Sequence, residues 1–466
     1  MKRELLVLGV IIASSLLLVN GIRLDYFVVP DDYPFFLYGL VGEIIREDKF
    51  RYYTLPYHYD SWDHITITRE IIKRENLIWH NPYLGEKFRD SNWEINYSIL
   101  LAEISILTGI DPLYLAAIVP TIIGIILALN TFILVRYLTG SDLAGIFSLI
   151  FVLTIKSSWT LMGIWFLVPV AYGMSQIPLI IFLFLRAIKS EGRVGVWDIT
   201  LALVFINVTL SHPPSTIIFL PIFLLYLILN PDLVVRNKEK ISVAIVVLFI
   251  LSLRFIPIDS LDYGGVTSSI SRMLKTMTFR DEPPPGTEFY YDSFLGPIVI
   301  ALAVVGGIYS LKSKEGRILP IAFISLIPFI AQFYLTDELF LSPFRRLFMY
   351  TSEIALIIAG IGLFYLYMFY LKSVDAFLRV MILKRKEQIR KALHLIIIIT
   401  VVLIIMIQIN SAFHYRNNIF QVIFEKDVDS IKWLRNTPED SVILTLPFYS
   451  KAITPISRRR VASLEQ

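Results

Sequence analysis

The sequence predicts an all-α protein that crosses a membrane many times, and three observations carry that expectation. Hydrophobic residues fill 56% of the 466 positions and charged residues only 18%, whereas a soluble domain holds about 25% charged residues. Mean hydropathy is accordingly high, at +0.66. Apolar runs of about 18 residues or more, enough to carry a helix through the hydrocarbon core, recur along the chain. Lysines and arginines, finally, gather in every second connection between those runs, as the positive-inside rule requires. The net charge of +4 is small. It follows from this topology and gives no reason to expect nucleic acid as a partner. With no cysteine in the chain, disulfides, thiolate catalysis and cysteine-ligated zinc are excluded.

The elements follow in order. Lys2 and Arg3 precede the apolar run Leu5 to Ile22. No small-residue cleavage site follows, so the run reads as a retained first span with its N-terminus in the cytoplasm. Residues 23–111 form a long first external loop. It contains Asp31-Asp32, a charged amphipathic helix from Ile65 to Glu75, and a segment from Trp93 to Leu107. That segment lines Trp93, Tyr97, Leu100, Leu101, Ile104 and Leu107 on one side and carries Glu94 and Glu103, which makes it an interfacial helix. Asp111-Pro112 then opens a helix with an N-cap acid and proline at the first position.

The expected spans are Leu113 to Leu138, Leu143 to Trp159, Gly163 to Ile188, Trp197 to Leu210, Ser215 to Leu229 and Ile241 to Ile256. Leu295 to Leu311, Ile318 to Leu335, Leu347 to Leu371 and Ala392 to Ile409 complete them. With the first helix the total is about 11. Alternation puts Arg136, the Arg186–Arg193 and Arg236–Lys240 groups, Lys312 to Arg317 and the run from Lys372 to Lys391 on the cytoplasmic side. The first loop, the 257–292 loop, Arg345-Arg346 and the C-terminus fall outside. Residues 1–412 thus form a multi-pass domain of the plasma membrane, and 413–466 an external C-terminal segment of α/β character. Within it, Asp427 to Arg435 reads as an amphipathic helix, Val442 to Leu444 as a strand and Ala452 to Val461 as a second strand. So short a segment rarely folds alone. Either it packs on the membrane core or the sequence stops inside a longer domain.

The chemistry-bearing residues share the outer face. In Tyr57-His58-Tyr59-Asp60-Ser61-Trp62-Asp63-His64, Asp60, Asp63 and His64 stand at i, i+3 and i+4, so one helical face holds all three. Such a set suits a proton acceptor or a metal. It also suits a plain cap, with Asp60 as N-cap and Asp63 at the third position. His212, in the Ser211-His212-Pro213-Pro214 turn, is either a turn residue satisfied by backbone and water or a substrate-binding group, since ionisable residues at membrane depth are functional by default. Arg345-Arg346 either snorkel to the interface or hold a lipid phosphate bidentately.

These residues carry a resemblance. The Asp-x-Trp-x-His entry to a helix, Asn81-Pro82-Tyr83, Leu107 to Pro112, Val119-Pro120, Arg136 to Gly140, Ser211 to Pro214 and Phe344 to Phe348 together resemble the GT-C superfamily of membrane glycosyltransferases. The nearest likeness is to archaeal oligosaccharyltransferase catalytic subunits. The resemblance implies a GT-C-type helical bundle and a polyprenyl-phosphate-linked sugar as donor. Asp60 matches the family's catalytic aspartate, which acts as base or metal ligand, and Asp63 is a second candidate. It further implies substrate-binding roles for His64, His212, Arg345 and Arg346, and for Glu282 as a loose counterpart of a mobile-loop glutamate.

The chain also departs from the family. Lys156 to Thr160 lacks the second acidic motif that helps hold a divalent metal such as Mg or Mn, and Leu446 to Ser450 stands where the oligosaccharyltransferases have Trp-Trp-Asp-Tyr-Gly. The expectation is therefore inverting transfer to a lipid, glycan or protein acceptor without an obligatory metal or other cofactor. Membrane lipid is the expected surrounding partner. The rival readings are a lipid-linked-glycan flippase or transporter, and a non-catalytic subunit that keeps the fold. Transporters usually carry internal repeats and midplane ionisable groups. No repeat is visible here, and Glu353 and Arg254 are the main mid-span charges.

Overall fold

The structure is a computed structural model that describes residues 2–20, 55–56, 58–77, 83, 94–157, 161–190, 194–241, 278–279, 294–336, 339–340, 342–380, 386–415, 423, 425–445 and 447–463. It is a helical bundle with two small strand pairs. α1 (Lys2–Asn20) leads to α2 (Tyr59–Arg74) and α3 (Ile95–Thr108), and a 3-10 turn (Pro112–Ala117) then enters α4 (Val119–Thr139). α5 (Asp142–Leu153), α6 (Pro169–Lys189), α7 (Val196–Ser211), α8 (Pro214–Ile217), α9 (Phe219–Ile228) and α10 (Pro231–Arg236) follow. Next come α11 (Pro297–Ser310), α12 (Ile318–Thr336), α13 (Phe344–Val380) and α14 (Lys386–Tyr415). The tail folds as α15 (Glu425–Trp433), β3 (Val442–Thr445), α16 (Pro447–Ser457) and β4 (Arg460–Ser463), with β3 and β4 paired in parallel. The other pair, β1 (Thr278–Phe279) with β2 (Leu339–Phe340), is antiparallel.

Among the described residues, five helices are long and apolar enough to cross a membrane, and six shorter apolar helices accompany them. At the centre is α13, which packs on α5, α11, α12 and α14. Its contact with α11 depends on two glycines: a Cβ at Gly362 would lie 1.9 Å from the Leu302 carbonyl oxygen, and one at Gly306 would lie 2.0 Å from that of Ile358. At the periphery, only 11% of the most apolar window of α14 is buried, so its isoleucine-rich surface is left to face lipid.

The bundle separates two ends. At one, Lys189 pairs with Glu315 at 2.7 Å, Lys314 with Asp232 at 2.6 Å and Lys240 with Asp198 at 3.2 Å. The guanidinium of Arg186 lies over the rings of Tyr137 and Trp197. Four of the cation-bearing connections predicted to share a side therefore meet there. Sixteen residues back along α6, about 24 Å away at 1.5 Å per residue, Gly173 abuts Ser215 and His212 and marks the other end.

Several expectations are corrected. His58, not Asp60, is the N-cap of α2: its Nδ1 accepts from the Asp60 N–H at 3.2 Å, which puts Asp60 inside the first turn. The expected span from Leu113 is split, because Ile118 interrupts the 3-10 turn before α4 begins. Leu107 is exposed rather than part of the packed side of α3. α13 has 37 residues and continues through Lys372 to Arg379, expected as a connection. In the tail, Ala452 to Ser457 is helix rather than strand. All of Ala452 to Ser457 is buried, and its apolar residues Ala452, Ile453 and Ile456 recur at a spacing that suits a helix and not a period of two. Ile241 to Ile256, apart from Ile241 itself, lies outside the described residues, and so do Glu282, Arg254, Asp31-Asp32 and Asn81-Pro82.

Candidate active site

The first loop builds the site by packing α2 between α3 and α16. Trp62 and Ile65 are fully buried and fix the rotation of α2. Its polar residues then divide between two neighbours. Toward the tail, the Lys451 Nζ donates to Asp63 Oδ2 at 2.6 Å and reaches Asp60 Oδ1 at 3.5 Å. Asp60 Oδ2 also faces His58 Nδ1 at 3.5 Å. α16 is held in this register by Thr454, whose hydroxyl meets that of Thr66 at 3.2 Å, and by Arg69, which donates to the Pro455 carbonyl and to Asp111.

Toward the bundle, His64 turns away from the aspartates. Its Nε2 lies 3.6 Å from Glu94 Oε2, and its Nδ1 lies 3.2 Å from the Ser98 hydroxyl. Glu94 sits at the N-terminus of α3 and meets a second imidazole: His212 Nε2 is 3.5 Å from its other oxygen. The His212 Nδ1 lies 2.7 Å from Ser215 Oγ, which in turn lies 2.8 Å from the Tyr350 hydroxyl on α13. Gly173 makes room for this turn, since a Cβ there would lie 2.0 Å from Ser215 Oγ. Asn96 clamps α3 to the end of α7 by donating to Ser211 Oγ at 2.9 Å.

The two charge states are fixed by burial and neighbours. Burial alone would raise the Glu94 carboxyl; the hydrogen bond from His64 and the electrostatic influence of His212, His64 and Arg346 outweigh it and hold the group below the usual carboxylate range. Burial dominates at His212 and pushes it down to about 4, with Glu94 opposing and Arg346 and His64 reinforcing the fall. At neutral pH Glu94 is therefore ionised and His212 neutral.

Of the residues expected from sequence, Asp60, Asp63, His64, His212 and Arg346 thus gather at one end of the bundle. Arg346 is the member of its pair whose charge reaches Glu94 and His212; Arg345 is partly buried one position earlier. Glu282 is not described. Sequence reasoning missed two members. Glu94 was read only as a charge on an interfacial helix, although an acid at the start of an otherwise apolar helix is a signal. Lys451 gave no signal, since its partners lie 391 and 388 positions away.

A divalent metal, which the family resemblance implies, does not fit the donors among the described residues. Asp60 and Asp63 already face an ammonium. Among the described residues no group of three or more His, Asp or Glu is placed to hold a metal ion. The turn after α5 contributes Lys156 and Ser157, neither of them a carboxylate.

Residues 96–448, about three quarters of the chain, match the model of DUF6541, a family of unknown function. The chain belongs to this family. No curated protein matches this DUF6541 member in sequence. Its fold resembles archaeal oligosaccharyltransferase AglB from Archaeoglobus fulgidus, solved with an inhibitory peptide and a dolichol-phosphate, at TM-score 0.62 and 13% identity over 99% of this chain. The chain spans 64% of that protein's length. It also resembles ArnT from Cupriavidus metallidurans, solved with undecaprenyl phosphate, at TM-score 0.58 and 10% identity, with 100% of this chain and 86% of ArnT covered. At such identities the likeness shows the fold alone: this DUF6541 chain has the GT-C-type membrane fold.

Proposed function

We propose that this DUF6541 protein is a membrane glycosyltransferase that moves one sugar from a polyprenyl-phosphate donor to an acceptor hydroxyl on the outer membrane face. The observation that carries the reading is that partly exposed Asp60 and Arg346 share one end of a GT-C-type bundle with Asp63, His64 and Glu94. The two phosphate-lipid complexes among the similar structures support the donor class. In the reaction the acceptor oxygen attacks the anomeric carbon with inversion and the bond from that carbon to the phosphate oxygen breaks. The acceptor proton passes to Asp60. The phosphate leaves with the bonding pair, and Arg346, with Arg345 beside it, neutralises its growing charge. Glu94 and the two imidazoles form a polar floor that keeps α2, α3 and α13 in place. No step uses a metal.

The test is transfer from a lipid-linked sugar by the full chain in detergent, where vectorial transport has no meaning. Turnover by the wild type and a fall of about 100-fold or more for Asp60→Asn support the reading. Donor binding without turnover points to a flippase, and no binding at all to a non-catalytic subunit.

A further inference from the structure

The described donors differ from the divalent-metal site of the resembled family at one point, the group that stands between the two aspartates. Asp60 and Asp63 are three residues apart on one helical face, so their charges repel. The group between them is a lysine from the tail. All three side chains are partly exposed: Lys451, Asp60 and Asp63 keep 25%, 33% and 22% of their surface. The helix of Lys451 is pinned just beyond the contact. Thr454 and Pro455 bind α2 one turn beyond Lys451. Arg459, just past the helix, donates to the carbonyls of Arg435 and Thr437.

We infer that Lys451 is the built-in cation of the active site: its ammonium holds the place of a divalent ion between Asp60 and Asp63 and makes the tail helix a working part of that site. The inference deepens the glycosyltransferase reading and supplies it with a chemical reason. A divalent ion would cancel both carboxylate charges. An ammonium cancels one and leaves the pair net negative, which is what a proton acceptor requires. Lysine also reaches as a compact charge on a flexible stem, without the planar fork of arginine.

The experiment needs no transfer activity. Full-length protein in detergent is titrated with Mn2+ alone, and bound ion is read from the loss of the free-ion resonance. The wild type is expected to show no stoichiometric binding. Lys451→Met keeps the aliphatic stem, removes the ammonium from between the carboxylates and is expected to gain Mn2+ affinity by about tenfold or more. Lys451→Arg retains the charge and stays like the wild type, and Lys451→Met with Asp63→Asn loses the gain. A matching thermal melt shows that each variant is folded. One-to-one Mn2+ binding by the wild type that Lys451→Met leaves unchanged would overturn the inference, as would a folded Lys451→Met protein that gains none. If the wild type transfers no sugar but the Mn2+ pattern holds, the glycosyltransferase reading falls while the role of Lys451 stands.

Discussion

Two carboxylate clusters face each other across α2, and they are built by opposite means. In the outer one, Asp60 and Asp63 stay partly exposed and meet a lysine carried in from the far end of the chain. In the inner one, Glu94 is held between two imidazoles whose Nδ1 atoms are each tied to a serine hydroxyl. The outer cluster is electrostatic and reachable by an acceptor. The inner one is geometric, a hydrogen-bonded knot joining α2, α3, the α7–α8 turn and α13. In the proposed mechanism, residues of one motif, three and four positions apart, thus divide between chemistry on one side and architecture on the other. The lesson is that helical periodicity groups residues on a face, but the packed neighbours decide what each does.

The largest expected effect breaks the inner cluster. Glu94→Ala leaves the His64 and His212 rings without their carboxylate partner and Arg346 without a nearby negative charge. Leaving buried hydrogen-bonding groups without a partner costs about 1–3 kcal/mol, and with two imidazoles affected the upper end applies, about 3 kcal/mol. Thermal unfolding in detergent measures it, and a melting point within a degree of wild type would contradict the account.

The same cluster should respond to pH. His212 is neutral in the fold down to about 4, whereas an unfolded histidine takes up a proton below about 6.5. Between these values the unfolded state binds more protons, so stability falls as pH drops from about 6.5 toward 4 and is level with respect to this group above that window. The depressed Glu94 carboxyl adds a further loss at the acid end. His212→Gln should flatten the upper part of that curve, and an unchanged slope would remove His212 from it.

Gly173→Ala tests the packing beneath the turn. The added methyl would strike Ser215 Oγ, and overpacking of this kind costs about 1–3 kcal/mol. Smallest in stability is Lys451→Met. Its partly exposed ion pairs are worth about 1 kcal/mol or less, so the melting point barely moves. A large stability loss would make Lys451 a structural pin instead of a resident charge.

Much of the bundle was legible because a span needs only a long apolar run, whatever its neighbours. The start of α2 was not: an imidazole as N-cap acceptor lies outside the usual Ser, Thr, Asp and Asn preference, so Asp60 drew the assignment that belongs to His58. In the tail, the apolar spacing of Ala452, Ile453 and Ile456 held the helical signal, which the neighbouring strand expectation obscured. At the site, Asp60, Asp63, His64 and His212 stood out as ionisable residues beside apolar runs. Glu94 was visible but unassigned. Lys451 was beyond reach, because nothing local to residue 451 reports a contact with residue 63.

The central claim is that the outer cluster does the chemistry and the inner one holds the frame. Transfer from a polyprenyl-phosphate-linked sugar in detergent, compared for wild type, Asp60→Asn and Glu94→Gln, tests it most directly. The account predicts turnover by the wild type, a loss of about 100-fold or more for Asp60→Asn at unchanged melting temperature, and for Glu94→Gln a loss that follows its lower stability. Wild-type turnover by Asp60→Asn, with activity abolished in a fully folded Glu94→Gln protein, would contradict it and move the base to Glu94.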